Sequence, residues 1–242
     1  LAFDIPRNQI LPVDVVDVRL DPEPHPFERD NAEAIVANWA EEKAARPALF
    51  DGTVMLLSEL AYGDNRLTGR CHAIRYSTFM LWRKLKPVTS AEHAFAHAML
   101  ISSDNALVAI RMGAHTANAG KVYFAAGSFE PEDFRDGLVD LDYNMAREVR
   151  EETGLDLGTA SREARCHALS VESGTAIVRC YRAAETADEL AAQITRFVAD
   201  DPDPEIEGPV IIRGMDDLPE GLMPHMRPLA EWHFSNGQVR LA

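Results

Sequence analysis

Apolar and polar positions change register along the chain, and each register predicts an element. ILPVDVVDVRL (10–20) reads as a strand, and DPEPHPFE (21–28) as a turn or connector. In NAEAIVANWAEEKAARP, Ile35, Trp39 and Ala44 fall near helical spacing ahead of Pro47, predicting a helix over 31–45. The stretch from GTVMLL to FMLW (52–82) reads as two strands about the turn GDNR. KLKPVTSAEHA is a connector, and HAMLISSDNALVAIRMG is a second hairpin about SSDN. GKVYFAAGSFEP predicts a short strand ending in a glycine turn, followed by an acidic loop. A helix over 138–153 comes next and stops at Gly154. ARCHALSVESG and TAIVRCYRAA predict a strand pair, ETADELAAQITRFVAD an amphipathic helix, and DPDPEIEGPVIIRG an extended strand. LMPHMRPLAEWHF predicts a last helix interrupted by prolines. Strands and helices in this order imply the α/β class, a mixed sheet with helices on its faces.

The helix over 138–153 carries two stripes. Leu138, Leu141, Met145 and Val149 recur at three- and four-residue steps and form the apolar one. Glu148, Glu151 and Glu152 stand at i, i+3 and i+4 and share another. Carboxylates on adjacent turns repel one another, and Arg147 and Arg150 relieve only part of that. Such a cluster is either a solvated acidic face or a site for a hard cation such as Mg2+ or Mn2+, which prefer oxygen ligands.

Composition narrows the function classes. The formal net charge of −15 opposes binding to nucleic-acid polymers but leaves room for a small anion at a bound cation. Three cysteines, Cys71, Cys166 and Cys180, match no disulfide or zinc spacing, so a cytoplasmic protein is expected. No apolar run is long enough for a membrane helix, and the N-terminal residues do not read as a signal peptide.

Residues 147–155, Arg-Glu-Val-Arg-Glu-Glu-Thr-Gly-Leu, read R-E-φ-x-E-E-x-G-φ, with φ apolar. This resembles the C-terminal half of the Nudix box, the signature of Nudix hydrolases. Upstream, Gly127, Glu130 and Pro131 in AAGSFEPED resemble the strand-to-loop part of the box. The resemblance spans residues 93–235 and is densest at 147–155. Two positions depart from it. Ala125-Ala126-Gly127 stands where the family has Pro-Gly-Gly. Val139 stands where it has a glutamate, eight residues before the arginine. Asp133 aligns with that glutamate only if about six residues are inserted in the loop; Asp140 and Asp142 are nearer substitutes.

The resemblance implies a Nudix-like α/β/α sandwich over 89–242, preceded by an N-terminal α+β extension over 1–88. That extension could serve as a substrate lid, a substrate-binding region or the surface of a homodimer. It also implies a Mg2+-dependent (or Mn2+-dependent) pyrophosphohydrolase acting on a small nucleoside diphosphate linked to a moiety X, with a nucleotide sugar as one candidate. The alternative is a Nudix-fold module that binds a nucleotide or metabolite without turnover. Glu148, Glu151 and Glu152 would hold metal, helped by a backbone carbonyl near Gly127. Arg147 would orient the glutamates. The base would be a later acidic residue, Glu207 first and Glu205 second, or a box glutamate itself.

Other constellations are weaker. His93 and His97 lack the intervening glutamate of a zinc helix. Adjacent Cys71 and His72 would point to opposite faces of a strand. Arg111 could reach a phosphate, and Tyr123 and Phe124 could stack on a base, although a solvated strand end and core packing account for them better.

Overall fold

The computed structural model describes residues 2–237. In chain order the strands are β1 (Phe3–Asp4), β2 (Ile10–Val13) and β3 (Val15–Asp21). The helices α1 (Pro26–Asp30) and α2 (Ala32–Ala45) precede β4 (Thr53–Gly63), β5 (Arg66–Arg75) and α3 (Tyr76–Leu85). Then come β6 (Ala94–Ile101), β7 (Leu107–Met112), β8 (Val122–Tyr123), β9 (Phe134–Arg135), β10 (Leu138–Val139) and α4 (Leu141–Thr153). The chain continues with β11 (Ser161–Val171), β12 (Gly174–Arg182), α5 (Ala187–Asp200), β13 (Ile206–Ile212) and α6 (Met226–Gly237).

Two mixed sheets result, so the α/β class holds, with two sheets rather than one central sheet and a separate extension. The first has the order β1-β4-β5-β3-β10-β9, and the second β13-β7-β6-β12-β11-β2, with β8 beside β7. The division expected at residue 88 is crossed in both directions. From the N-terminal part, β2 joins the second sheet through β11; from the later part, β9 and β10 extend the first sheet through β3. One hydrophobic core includes Val18, Leu60 and Leu67 of the first sheet together with Met99, Ile177 and Met145. A smaller core seats Phe79, Leu81 and Trp82 of α3 with Phe27 and Ile35 over Leu56 and Ile74.

On the second sheet, Tyr181 reaches α4 through its hydroxyl, which points to the Met145 sulfur at 3.8 Å. Ala98 and Leu100 share this face, and the small Ala94, Ala96 and Ala98 let the helix approach the strand closely. The opposite face is covered by α6, whose Trp232 packs on His167 with ring centroids 4.5 Å apart. Helices on both faces make the expected sandwich.

Four local expectations need correction. The predicted strand over 10–20 is two strands in different sheets, broken at Asp14, whose carboxylate accepts from Arg165 Nε at 2.6 Å. The connector at 21–28 runs into α1, capped by His25 Nδ1 accepting from the Phe27 amide at 3.0 Å. The second strand of the predicted 52–82 hairpin ends at Arg75, and Tyr76–Leu85 is helical. The cap of α3 comes from far upstream: Asp51 Oδ1 accepts from the Ser77 amide at 2.7 Å. Helix α4 begins at Leu141 rather than residue 138, because Asp140 caps it (3.0 Å from the Tyr143 amide) and Leu138–Val139 pair in the first sheet.

Among the described residues, no helix is long and apolar enough to cross a membrane. A groove of about 850 Å3 opens on the outer face of the first sheet, lined by Asp17, Arg19, Asp21, Glu59 and Arg70. Its charges already pair with one another, as Arg70 with Asp21 at 2.7 Å and Arg19 with Asp17 at 2.7 Å, and no predicted site residue lies in it.

Candidate metal centre

The apolar stripe of α4 sinks Leu141, Met145 and Val149 into the main core. That orientation fixes the glutamates. Glu148 and Glu152, one turn apart, are carried to the buried edge of the stripe and are 8% and 7% exposed. Glu151 points outward, with its side chain 59% exposed. The three-carboxylate stripe therefore becomes a buried pair and an exposed third member. Among the described residues, no group of three or more metal-binding side chains is gathered tightly enough to hold an ion.

The loop after β8 closes over the pair. The Ala126 amide donates to Glu152 Oε2 at 2.9 Å. Gly127 lies against Glu148 so closely that a Cβ there would fall 2.1 Å from Glu148 Oε1. Glycine lets the carboxylate keep this place, and an added Cβ would push it aside.

Burial sets the electrostatics. It pushes the Glu148 carboxyl up to about 7, against the opposing pull of Arg147. Burial also raises Glu152 well above the usual carboxylate range, with the Glu148 charge second and Glu205 contributing. Two carboxylates held together in a dry site favour either a proton or a cation between them. The donor set is all oxygen and anionic, and it fits a hard divalent ion at the buried pair. Glu151 would have to turn inward to join it.

Arg147 is the hub of the charged end. Its side chain is 11% exposed and touches four carboxylates: Glu148 at 2.8 Å, Glu151 at 3.1 Å, Asp133 at 3.2 Å and Glu132 at 3.3 Å. Asp133 is fully buried and also accepts from Asn144 Nδ2 and the Glu130 amide, each at 2.8 Å. The two nearer acidic substitutes are engaged elsewhere. Asp140 caps α4, and Asp142 pairs with Arg162 and Arg179. Val139 is core.

Glu205 lies before an irregularity in β13 and Glu207 lies within it. The register of β13 slips between Ile206 and Gly208, so the regular alternation that would align the two is broken. The Glu205 carbonyl accepts from the Gly113 amide at 2.8 Å, which fixes its backbone beside β7. The charge of Glu205 is among those acting on Glu152 and on Tyr123. Tyr123 is nearly buried, its hydroxyl accepts from Asn118 Nδ2 at 3.3 Å, and burial raises its phenol. Phe124 is core, and Arg111 holds the carbonyls of Gly120 (3.0 Å) and Glu220 (3.3 Å). His93 bonds Ser128 Oγ at 2.9 Å, whereas His97 meets His225, Nε2 to Nε2, at 2.9 Å. The i, i+4 pair of histidines is thus split between two partners.

No protein-family model matches the sequence. No curated protein matches it significantly. Solved structures similar to the chain include the MutT protein of Methanosarcina mazei Go1, at 19% identity and a TM-score of 0.42 over 60% of this chain and 95% of that one. An Ap4A hydrolase of C. elegans is similar at 13% identity and a TM-score of 0.42, over 60% and 98% of the two chains. The Nudix hydrolase RenU of M. smegmatis is similar at 11% identity and a TM-score of 0.38, over 61% and 87%. Likenesses this distant assign no role to any residue of this chain.

Proposed function

We propose that the chain is a Nudix-type hydrolase that uses Mg2+ or Mn2+ to cleave a nucleoside diphosphate linked to another moiety. The observation that carries the reading is the buried Glu148–Glu152 pair under the Gly127 loop, set in a sequence that matches R-E-φ-x-E-E-x-G-φ. Two carboxylates buried as anions would raise the cost of folding unless something positive uses them.

In this reading Glu148 and Glu152 bind the ion, and Glu151 swings in from solvent to complete the set. When bound, a divalent ion neutralises the diphosphate and makes a water more acidic. Arg147 holds Glu148 by a charge-assisted bond. The Ala126 amide orients Glu152. Glu205 takes the proton of the attacking water, in preference to Glu207 at the register slip. Water adds across the P–O–P bridge, so one P–O bond forms and one breaks. Two phosphate products leave.

A panel of nucleoside diphosphate derivatives, nucleotide sugars included, tests the reading with Mg2+ present. Turnover by the wild type that disappears in Glu152→Gln supports it. Ligand-induced thermal stabilisation without turnover would replace it with the binding-module reading, which the outward Glu151 favours. Absence of any Mg2+ or Mn2+ binding would remove both.

A further inference from the structure

The segment between Asp133 and Asp140 is built as a separate unit. Its six residues, 134–139, are the strands β9 and β10 and the turn joining them. The turn residues Asp136 and Gly137 have φ of 50° and 76°, the left-handed pair that a tight hairpin requires. The Asp140 amide donates to the Asp133 carbonyl at 2.7 Å, so the unit leaves and re-enters the chain through one closed neck.

Each side of this hairpin is attached to a different part of the molecule. Leu138 pairs with Arg19 of β3, and the Leu20 amide donates to the Gly137 carbonyl at 2.8 Å. Phe134 and Val139 enter the main core. The Arg135 guanidinium lies 4.4 Å from the centre of the Tyr143 ring on α4, and its Nη1 donates to the Glu132 carbonyl at 2.8 Å. At the neck stands Asp133, fully buried, bonded to Asn144 of α4 and paired with Arg147.

We infer that Asp133 is a positioning residue for Arg147, and that the 134–139 hairpin ties this pair to the first sheet; the inference rests on the hydrolase reading above. The path is continuous: β3 holds the hairpin, the hairpin closes the neck, and the neck presents Asp133 to Arg147. Arg147 in turn holds Glu148. The first sheet, which carries none of the signature residues in its own strands, thereby sets where the catalytic end of α4 meets the Gly127 loop.

Two variants test this. Asp133→Asn keeps the shape and removes the charge. Gly137→Val strains the turn at a position where an added Cβ meets nothing within 4 Å. Three measurements apply: amide hydrogen exchange, Mn2+ affinity, and kcat and KM separately. Exchange should quicken at Ala126–Glu130 and Arg147–Glu152 while the β6 and β12 amides stay protected. Mn2+ affinity and kcat should fall by about tenfold in Asp133→Asn and less in Gly137→Val, with KM within about twofold. Unchanged local exchange in both variants overturns the inference. So does exchange that quickens uniformly, because Asp133 is then only a stability residue. A wild type without turnover defeats the hydrolase reading alone, and exchange then decides this one.

Discussion

Glu148 offers a quantitative check, because its removal should make the metal-free protein more stable. Its carboxyl is held at about 7, raised by burial from an unfolded value of 4.5. A folded value above the unfolded one stabilises nothing at high pH. The neutral form is present in both states below 4.5, and the penalty grows as pH rises and is complete above about 7. At about 1.4 kcal/mol per pH unit this amounts to roughly 3 kcal/mol at pH 8. The figure already contains the attraction of Arg147. Glu148→Gln is close to the neutral acid in shape, so it should gain most of that amount in EDTA at pH 8. For a chain of this size, the corresponding rise in Tm is about 6–12 °C. At pH 4.5 the two proteins should melt together. Adding Mg2+ at pH 8 should raise the wild-type Tm and leave the variant unmoved if, as proposed, the ion binds the folded carboxylate pair and not its amide. Thermal melts of both proteins at the two pH values, with and without Mg2+, make the comparison. A variant that melts below the wild type in EDTA at pH 8 would refute the electrostatic account, and equal Mg2+ stabilisation of both would refute the assignment of Glu148 as a ligand.

Other outcomes follow from the same geometry. Gly127→Ala should abolish Mg2+-induced stabilisation and lower kcat by about a hundredfold or more, since its Cβ needs the space of the Glu148 carboxylate; retention of both would show that the loop can move aside. Glu205→Gln should lower kcat by about 10²-fold or more, while Glu207→Gln changes it little; the reverse order in steady-state kinetics would transfer the base to Glu207. Gly154 ends α4 at φ +71°, and an added Cβ would fall 2.4 Å from Phe197, so Gly154→Ala should cost about 2 kcal/mol or more in urea unfolding. Burial holds His225 down to about 4. Its contribution is therefore intact above the unfolded value of 6.5 and is lost as pH falls through 4, roughly 3 kcal/mol in all. Unfolding free energies from urea curves at pH 7 and pH 5 should differ by over half of that or by more, since burial also lowers His93 and His97, and His225→Phe should reduce the difference without abolishing it.

Local repetition made some of this protein legible from its residues alone. The hairpin β6–β7, the pair β11–β12, helix α5 and the glycine stop of α4 all follow from side-chain periods of two or 3.6 residues and from turn chemistry within a few positions. The same rules put Glu148, Glu151 and Glu152 on one stripe. They could not say that the core would draw Glu148 and Glu152 inward and leave Glu151 in solvent, since that depends on how α4 lies on the alanines of β6. Nor could they cap α3, whose partner Asp51 is 26 residues away from Ser77. The strand read over residues 10–20 illustrates the limit most directly. Its apolar pattern is continuous, yet Asp14 divides it between two sheets, because the pairing partners β11 and β5 come from distant parts of the chain. The acid that meets Arg147 was visible only as three aspartates at uncertain alignment. Tertiary structure chose Asp133, because a hairpin inserted beside it folds onto β3 and brings its ends together. Sequence determined the groups that repeat along one element; long-range pairing decided which of them meet.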